Sequence, residues 1–245
     1  MVTRSTLRIG TVGPRTVGTG PGQHADLFPG VDIDDLGLGV LGLDRGVGWH
    51  LDLRGKKAVY LREVPKLSRE RGWDAIAVIG APVELMNPGL YSDLLTVVDV
   101  PVVTAMVACA AALHAFSSKR PLLMTGFFEE LDHLLTGYFV HEGIELVCQK
   151  SKPYATYDEG ARASADVIFS QTVAAVAAEG HIDAVYYQGA LPNRKIIERL
   201  ESELGLPVVS SQVANYWYLL NKLGEPRPVN GAGRLLSECP ALPWG

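Results

Sequence analysis

Trp73-Asp74-Ala75-Ile76-Ala77-Val78-Ile79-Gly80-Ala81-Pro82 returns later in the chain as Ile182-Asp183-Ala184-Val185-Tyr186-Tyr187-Gln188-Gly189-Ala190-Leu191-Pro192. In the same way, Val100-Pro101-Val102-Val103-Thr104 returns as Leu206-Pro207-Val208-Val209-Ser210. The offsets agree: 109 residues separate Asp74 from Asp183, and 106 separate Pro101 from Pro207. A looser pair, Leu7-Arg8-Ile9-Gly10-Thr11 against Arg120-Pro121-Leu122-Leu123-Met124-Thr125, keeps the register. One α/β unit is duplicated, and a pseudo-twofold axis would bring two sets of strand ends face to face across a cleft.

Short apolar, β-branched runs at residues 8–12, 75–79, 100–103, 121–124, 144–147, 184–187 and 207–209 read as strands buried on both faces. Helix-period segments lie between them at 54–70, 91–97, 105–116, 128–142, 159–179, 193–204 and 211–223. This alternation predicts an α/β fold of two pseudo-twofold-related lobes, each a short parallel sheet flanked by helices, with a cleft between. The expected division is residues 1–117 plus 211–245 for the N-terminal lobe, with a returning helix and tail, and 118–210 for the C-terminal lobe. Pro65 should kink or shorten the segment that holds it. The proline- and glycine-rich tail from Glu225 should lie as an arm on the surface or on a partner subunit.

With 47% hydrophobic and 20% charged residues, the 245-residue chain can bury a substantial core. A net charge of −5 with no like-charge block argues against nucleic acid and anionic membrane as partners. Cys109, Cys148 and Cys239 are too few, and wrongly spaced, for a disulfide framework or a metal site, so a reducing cytoplasm and no metal are expected. No stretch reads as a signal peptide or a membrane span, and the subunit count is left open, a homo-oligomer included.

In open parallel sheets the ligand crevice lies beyond the carboxyl ends of the strands. Those ends are Gly13-Pro14-Arg15-Thr16, Gly80-Ala81-Pro82, Thr104, Thr125-Gly126-Phe127, Gln188-Gly189 and Ser210-Ser211-Gln212. Together with Ile9-Gly10-Thr11-Val12, Leu36-Gly37-Leu38-Gly39, Trp217 and Gly233-Arg234-Leu235, they resemble the aspartate/glutamate racemase superfamily, in particular its arylmalonate decarboxylase and maleate cis-trans isomerase branch. The resemblance spans nearly the whole chain. It implies two lobes closing over a small carboxylate, with no cofactor, and a cysteine at one or both strand ends moving a proton at the adjacent carbon. The thiol positions fall on Gly80 and Gln188, neither of which is a nucleophile or a base. The decarboxylases lack the first thiol and keep the second, so Gln188 is the departure. The carboxylate-binding hydroxyls of the family align with Ala81, Pro82 and Phe127, which leaves backbone N–H groups near Ala81 and Gly189.

Gln188, which the repeat sets opposite Gly80, can hydrogen-bond a carboxylate or orient a water, but it cannot exchange a proton near neutral pH. Glu84 could act as a base if an apolar cleft raised its pKa; otherwise it is a solvated residue of a helix start. Tyr157, at a family pocket position, is either a phenol donor to an oxyanion or a packing aromatic. Arg15 offers a carboxylate fork, with a solvated loop arginine as the plain alternative, and His24 is a reserve acid or base. Thr125 and Ser210 could donate to a ligand or cap the helices that follow them, and Phe127 could form an apolar wall. Gly37-Leu38-Gly39-Val40-Leu41-Gly42 spells a dinucleotide fingerprint but continues into more turn residues, so it reads as a loop. The three cysteines read as inert filler.

These residues lead to a cofactor-independent enzyme that decarboxylates or isomerises a small carboxylate through a carbanion or enediolate. Two alternatives stand beside it: a non-catalytic carboxylate-binding protein, and a lyase or hydrolase that uses a water positioned by Gln188.

Overall fold

The computed structural model describes residues 6–14, 28, 30–43, 53–126, 129–148, 162–189 and 195–244. Strands β1 (Leu7–Gly13), β2 (Val31–Gly37), β3 (Ala75–Val78) and β4 (Val102–Thr104) form one sheet in the order β2-β1-β3-β4. A second sheet contains β5 (Pro121–Thr125), β6 (Val147–Cys148), β7 (Ala184–Gln188) and β8 (Val208–Ser210) in the order β6-β5-β7-β8. Every pairing is parallel. The two sheets therefore repeat one topology, with β1 to β4 standing for β5 to β8.

The helices are α1 (Lys57–Arg71), α2 (Ala81–Leu85), α3 (Leu90–Leu94), α4 (Ala105–Ala115), α5 (Glu129–His141), α6 (Ala165–Glu179), α7 (Lys195–Leu204), α8 (Ser211–Lys222) and α9 (Arg234–Ser237). Helix α4 is buried on most sides, and its alanines at 105, 108, 110, 111 and 112 let neighbours approach closely. It packs along α8 and also touches β4 and β8, while α8 touches strands of both sheets. These two helices form the layer through which the halves share one apolar core.

Ile9 pairs with Ala75 and Pro121 with Ala184, so Gly10 corresponds to Leu122. A Cβ on Gly10 would lie 2.1 Å from the Trp73 ring, so a glycine is required wherever that indole crosses the strand. In the second half Ile182 replaces the indole, and the buried Leu122 fills the space.

Four features differ from the sequence expectations. Strand β2 carries Asp32, Asp34 and Asp35, residues that ordinarily disfavour strands. It forms at the sheet edge because Asp34 accepts hydrogen bonds from Arg71 (3.1 Å) and Trp73 Nε1 (3.0 Å), and Asp35 accepts one from Thr11 (2.6 Å). Helix α1 runs unbroken through Pro65, whose ring is buried against the core. The short helix α2 lies outside the expected helix segments, although the plain reading of Glu84 is a helix start, and it follows Gly80 directly. The tail, expected as an arm on the surface or on a partner subunit, is anchored in its own chain: Leu235 and Leu236 are buried, Pro240 accepts a hydrogen bond from Trp217 Nε1 (2.9 Å), and Glu201 accepts one from the Arg234 N–H (2.8 Å).

Candidate active site

The carboxyl ends of β3, β4, β7 and β8 carry Gly80, Thr104, Gln188 and Ser210. Gly80 (φ +92) and Gly189 (φ +107) both adopt a left-handed backbone at the exit from their strands, and they correspond under the 109-residue offset. The register thus sets Gly80 against Gly189 and Gln188 against Ile79, one residue away from the Gly80–Gln188 pairing expected from sequence. A Cβ at Gly80 would meet the Pro14 ring at 2.8 Å.

Beyond Gly80, α2 starts with buried Ala81 and Pro82 and turns Glu84 back over the end of β4. Glu84 is 7% exposed. The Thr104 hydroxyl donates to its Oε2, and the Tyr91 backbone N–H also bonds its carboxyl group. Burial outweighs both bonds and pushes the carboxyl up to about 7. Thr104 is meanwhile the N-cap of α4, so a helix start fixes the hydroxyl that holds Glu84.

Across the lobe boundary, Tyr138 on α5 lies within electrostatic reach of Glu84, Glu142, Cys109 and Tyr91. Cys109, on α4, is fully buried, and its Sγ lies 4.0 Å from Gln188 Oε1. Tyr186 donates its hydroxyl to the same oxygen. The polar seam between the halves consists of two hydrogen-bonded groups, Glu84 with Thr104 and Gln188 with Tyr186 and Cys109, with Tyr138 within electrostatic reach of Glu84 and Cys109. Tyr91 and Tyr218 extend it through a 3.2 Å hydroxyl pair.

Gln188 is 3% exposed and ends β7 beside Thr125, its partner on β5. Gly189 donates its N–H to Ser211 Oγ at 3.2 Å, so this donor is already engaged. Ser210 is 1% exposed, and its Oγ has no hydrogen-bond partner among the described residues. Arg15, His24, Phe127 and Tyr157 lie outside the described residues. The fingerprint-like Gly37–Gly42 string runs from β2 into a single 3-10 turn, Leu38–Leu41, and lacks the α-helix a dinucleotide would need. Among the described residues no three His, Cys, Asp or Glu side chains gather as a metal group, and no helix is long and apolar enough to cross a membrane.

Sequence reasoning passed over Thr104 as an acceptor's partner and treated Cys109 as filler. The usable signal was Tyr186 in a strand buried on both faces, because a buried phenol must find a partner.

A family model described as arylmalonate decarboxylase matches residues 9–236. The chain belongs to this family. Arylmalonate decarboxylase of Bordetella bronchiseptica is 25% identical over 245 residues, spanning 96% of this chain and 98% of that protein. Maleate isomerase of Pseudomonas putida is 29% identical over 140 residues, 56% of this chain and 55% of that one. These relatives are enzymes, a lyase and an isomerase. A crystal structure of arylmalonate decarboxylase superposes with a TM-score of 0.77 at 22% identity, covering 94% of this chain and 99% of that one. The Nocardia farcinica maleate cis-trans isomerase gives 0.72 at 22% identity, with 95% and 98% covered. At such identities the two structures establish the shared fold, two parallel sheets of four strands flanked by helices.

Proposed function

We propose that this family member is a cofactor-independent enzyme that decarboxylates or isomerises a small dicarboxylic acid of the arylmalonate or maleate type. Glu84 takes the proton-transfer role. The observation that carries this reading is the buried Glu84 carboxyl at the β3 and β4 ends, poised at about 7 beside the lobe seam. In a decarboxylation the bond between the α-carbon and one carboxylate breaks, carbon dioxide leaves, and the electron pair stays on the α-carbon. The other carboxylate takes up this charge as an enediolate. Protonated Glu84 then delivers its proton to the α-carbon, and water restores it. The N–H donors of Gln188 and the Ser210 hydroxyl hold the enediolate oxygens, where preorganised donors stabilise developing charge. Arg15, Ala81, Pro82, Phe127 and Tyr157 complete the pocket in this reading.

The test is phenylmalonate and maleate turnover followed by proton NMR in heavy water, for the wild type and Glu84→Gln. Product that carries solvent deuterium at the α-carbon, with turnover lost by roughly a hundredfold or more in the variant, supports the assignment. Gln188, an amide that binds without exchanging a proton, favours a second reading: a carboxylate-binding protein without turnover. That reading predicts thermal stabilisation by both acids with no product formed. Oxygen-18 entering product from solvent would point to a Gln188-positioned water instead.

A further inference from the structure

Two donors from different elements converge on one amide oxygen. Tyr186 and Gln188 lie two apart on β7, so their side chains leave the same face of the sheet and meet. The Tyr186 hydroxyl donates to Gln188 Oε1, and the Cys109 thiol approaches that oxygen from α4. Burial keeps both donors protonated: it pushes the Cys109 thiol up to about 12 and the Tyr186 phenol well above its ordinary value. An O–H and an S–H each need an acceptor, and of the two ends of the amide only the oxygen accepts. Turning the amide over would let its N–H pair donate to the phenol oxygen but would take the amide acceptor away from the Tyr186 O–H and the Cys109 S–H, at a cost of the order of an unsatisfied buried polar group.

We propose that Tyr186 and Cys109 are positioning residues that lock the Gln188 amide with its oxygen inward, so that its two Nε2 hydrogens face the strand-end cleft and select a hydrogen-bond acceptor, a substrate carboxylate. The lock itself stands on the side-chain geometry; the identity of the acceptor rests on the function proposed above. An ammonium group at this position would meet N–H with N–H and be rejected. Where the resemblance expects a thiol that gives up a proton, this chain presents a fixed donor that binds without exchanging one, and proton transfer falls to the opposite lobe.

The lock is read directly on the Gln188 side-chain amide in protein labelled with nitrogen-15 glutamine, its signals identified by their loss in Gln188→Leu. The wild type should show a rigid amide pair, with a heteronuclear NOE matching the backbone, that shifts when phenylmalonate is added. Tyr186→Phe should lower that NOE toward the value of an exposed glutamine and weaken phenylmalonate binding about tenfold. Cys109→Ser, which keeps a donor, should preserve both. Melting temperatures separate loss of the lock from loss of fold; if Tyr186→Phe does not fold, Cys109→Ala should show a smaller fall in the same direction. An amide pair as rigid in the folded variants as in the wild type overturns the proposal. A pair that Tyr186→Phe releases, but that neither phenylmalonate nor maleate shifts in the wild type, upholds the lock and overturns the substrate reading instead.

Discussion

Arg120 donates its backbone N–H to Asp183 at 2.8 Å, and Arg8 makes the matching bond to Asp74 at 2.7 Å. Their guanidinium groups repeat the parallel. Arg8 reaches the Arg71 carbonyl at the end of α1, and Arg120 reaches the Gly180 and His181 carbonyls just past α6. In each half an aspartate before the third strand and an arginine at the first tie together two strand starts and a helix end. Cationic side chains are favoured at helix C-termini, which accounts for arginine in both copies.

The two aspartates should differ in weight. Asp183 accepts from Ser118 Oγ (2.5 Å) and from the Lys119 and Arg120 N–H groups (2.6 and 2.8 Å), and it is half-buried; Asp74 is exposed. Asp183→Ala should cost about 2–3 kcal/mol in urea unfolding, because bonds to an ionised acceptor are lost from a less hydrated site. Asp74→Ala should cost less than half of that.

Glu84 gives the fold a pH dependence of definite sign. Its folded pKa, about 7, lies above its ordinary value of 4.5. The native state therefore holds the proton more tightly. This contribution is full below about pH 4.5 and is lost as the pH rises to about 7, a change of the order of 3 kcal/mol. Glu84→Gln should flatten this part of the stability profile, so the variant gains on the wild type between pH 5 and pH 8. Parallel profiles for the two proteins would show that the carboxyl is not desolvated.

Glycine tolerance should follow the close approaches. Gly10→Ala forces the Trp73 ring to move, and Gly80→Ala meets Pro14 at a backbone angle that L-residues rarely adopt. Each should lower stability by about 1–3 kcal/mol, as overpacking does. Gly39→Ala meets nothing within 4 Å and should be close to neutral in the same melts.

The architecture was legible because buried parallel strands announce themselves: Ala75–Val78 and Ala184–Gln188 are continuous apolar runs between breakers. Strand β2 escaped notice because its aspartates are hydrogen-bonded by Trp73 and Thr11 and paired with Arg71, contacts remote in sequence. Pro65 misled because propensity weighs a lost hydrogen bond and cannot see the core that its ring fills. At the site, the position of Glu84 after a strand end could be read directly. The Thr104 hydroxyl that holds it, and the Cys109 thiol beside Gln188, depend on how α4 crosses between the halves. No local pattern records that crossing.

The pH dependence of kcat/KM for the carboxylic acid turned over, in wild type and Glu84→Gln, tests the central claim most directly. If protonated Glu84 supplies the proton, the wild-type rate should fall about tenfold per pH unit above about pH 7, and the variant should lose roughly a hundredfold below about pH 7 and show no such fall above it. A rate level to pH 9, or a variant as active as the wild type, would contradict the assignment of proton transfer to Glu84.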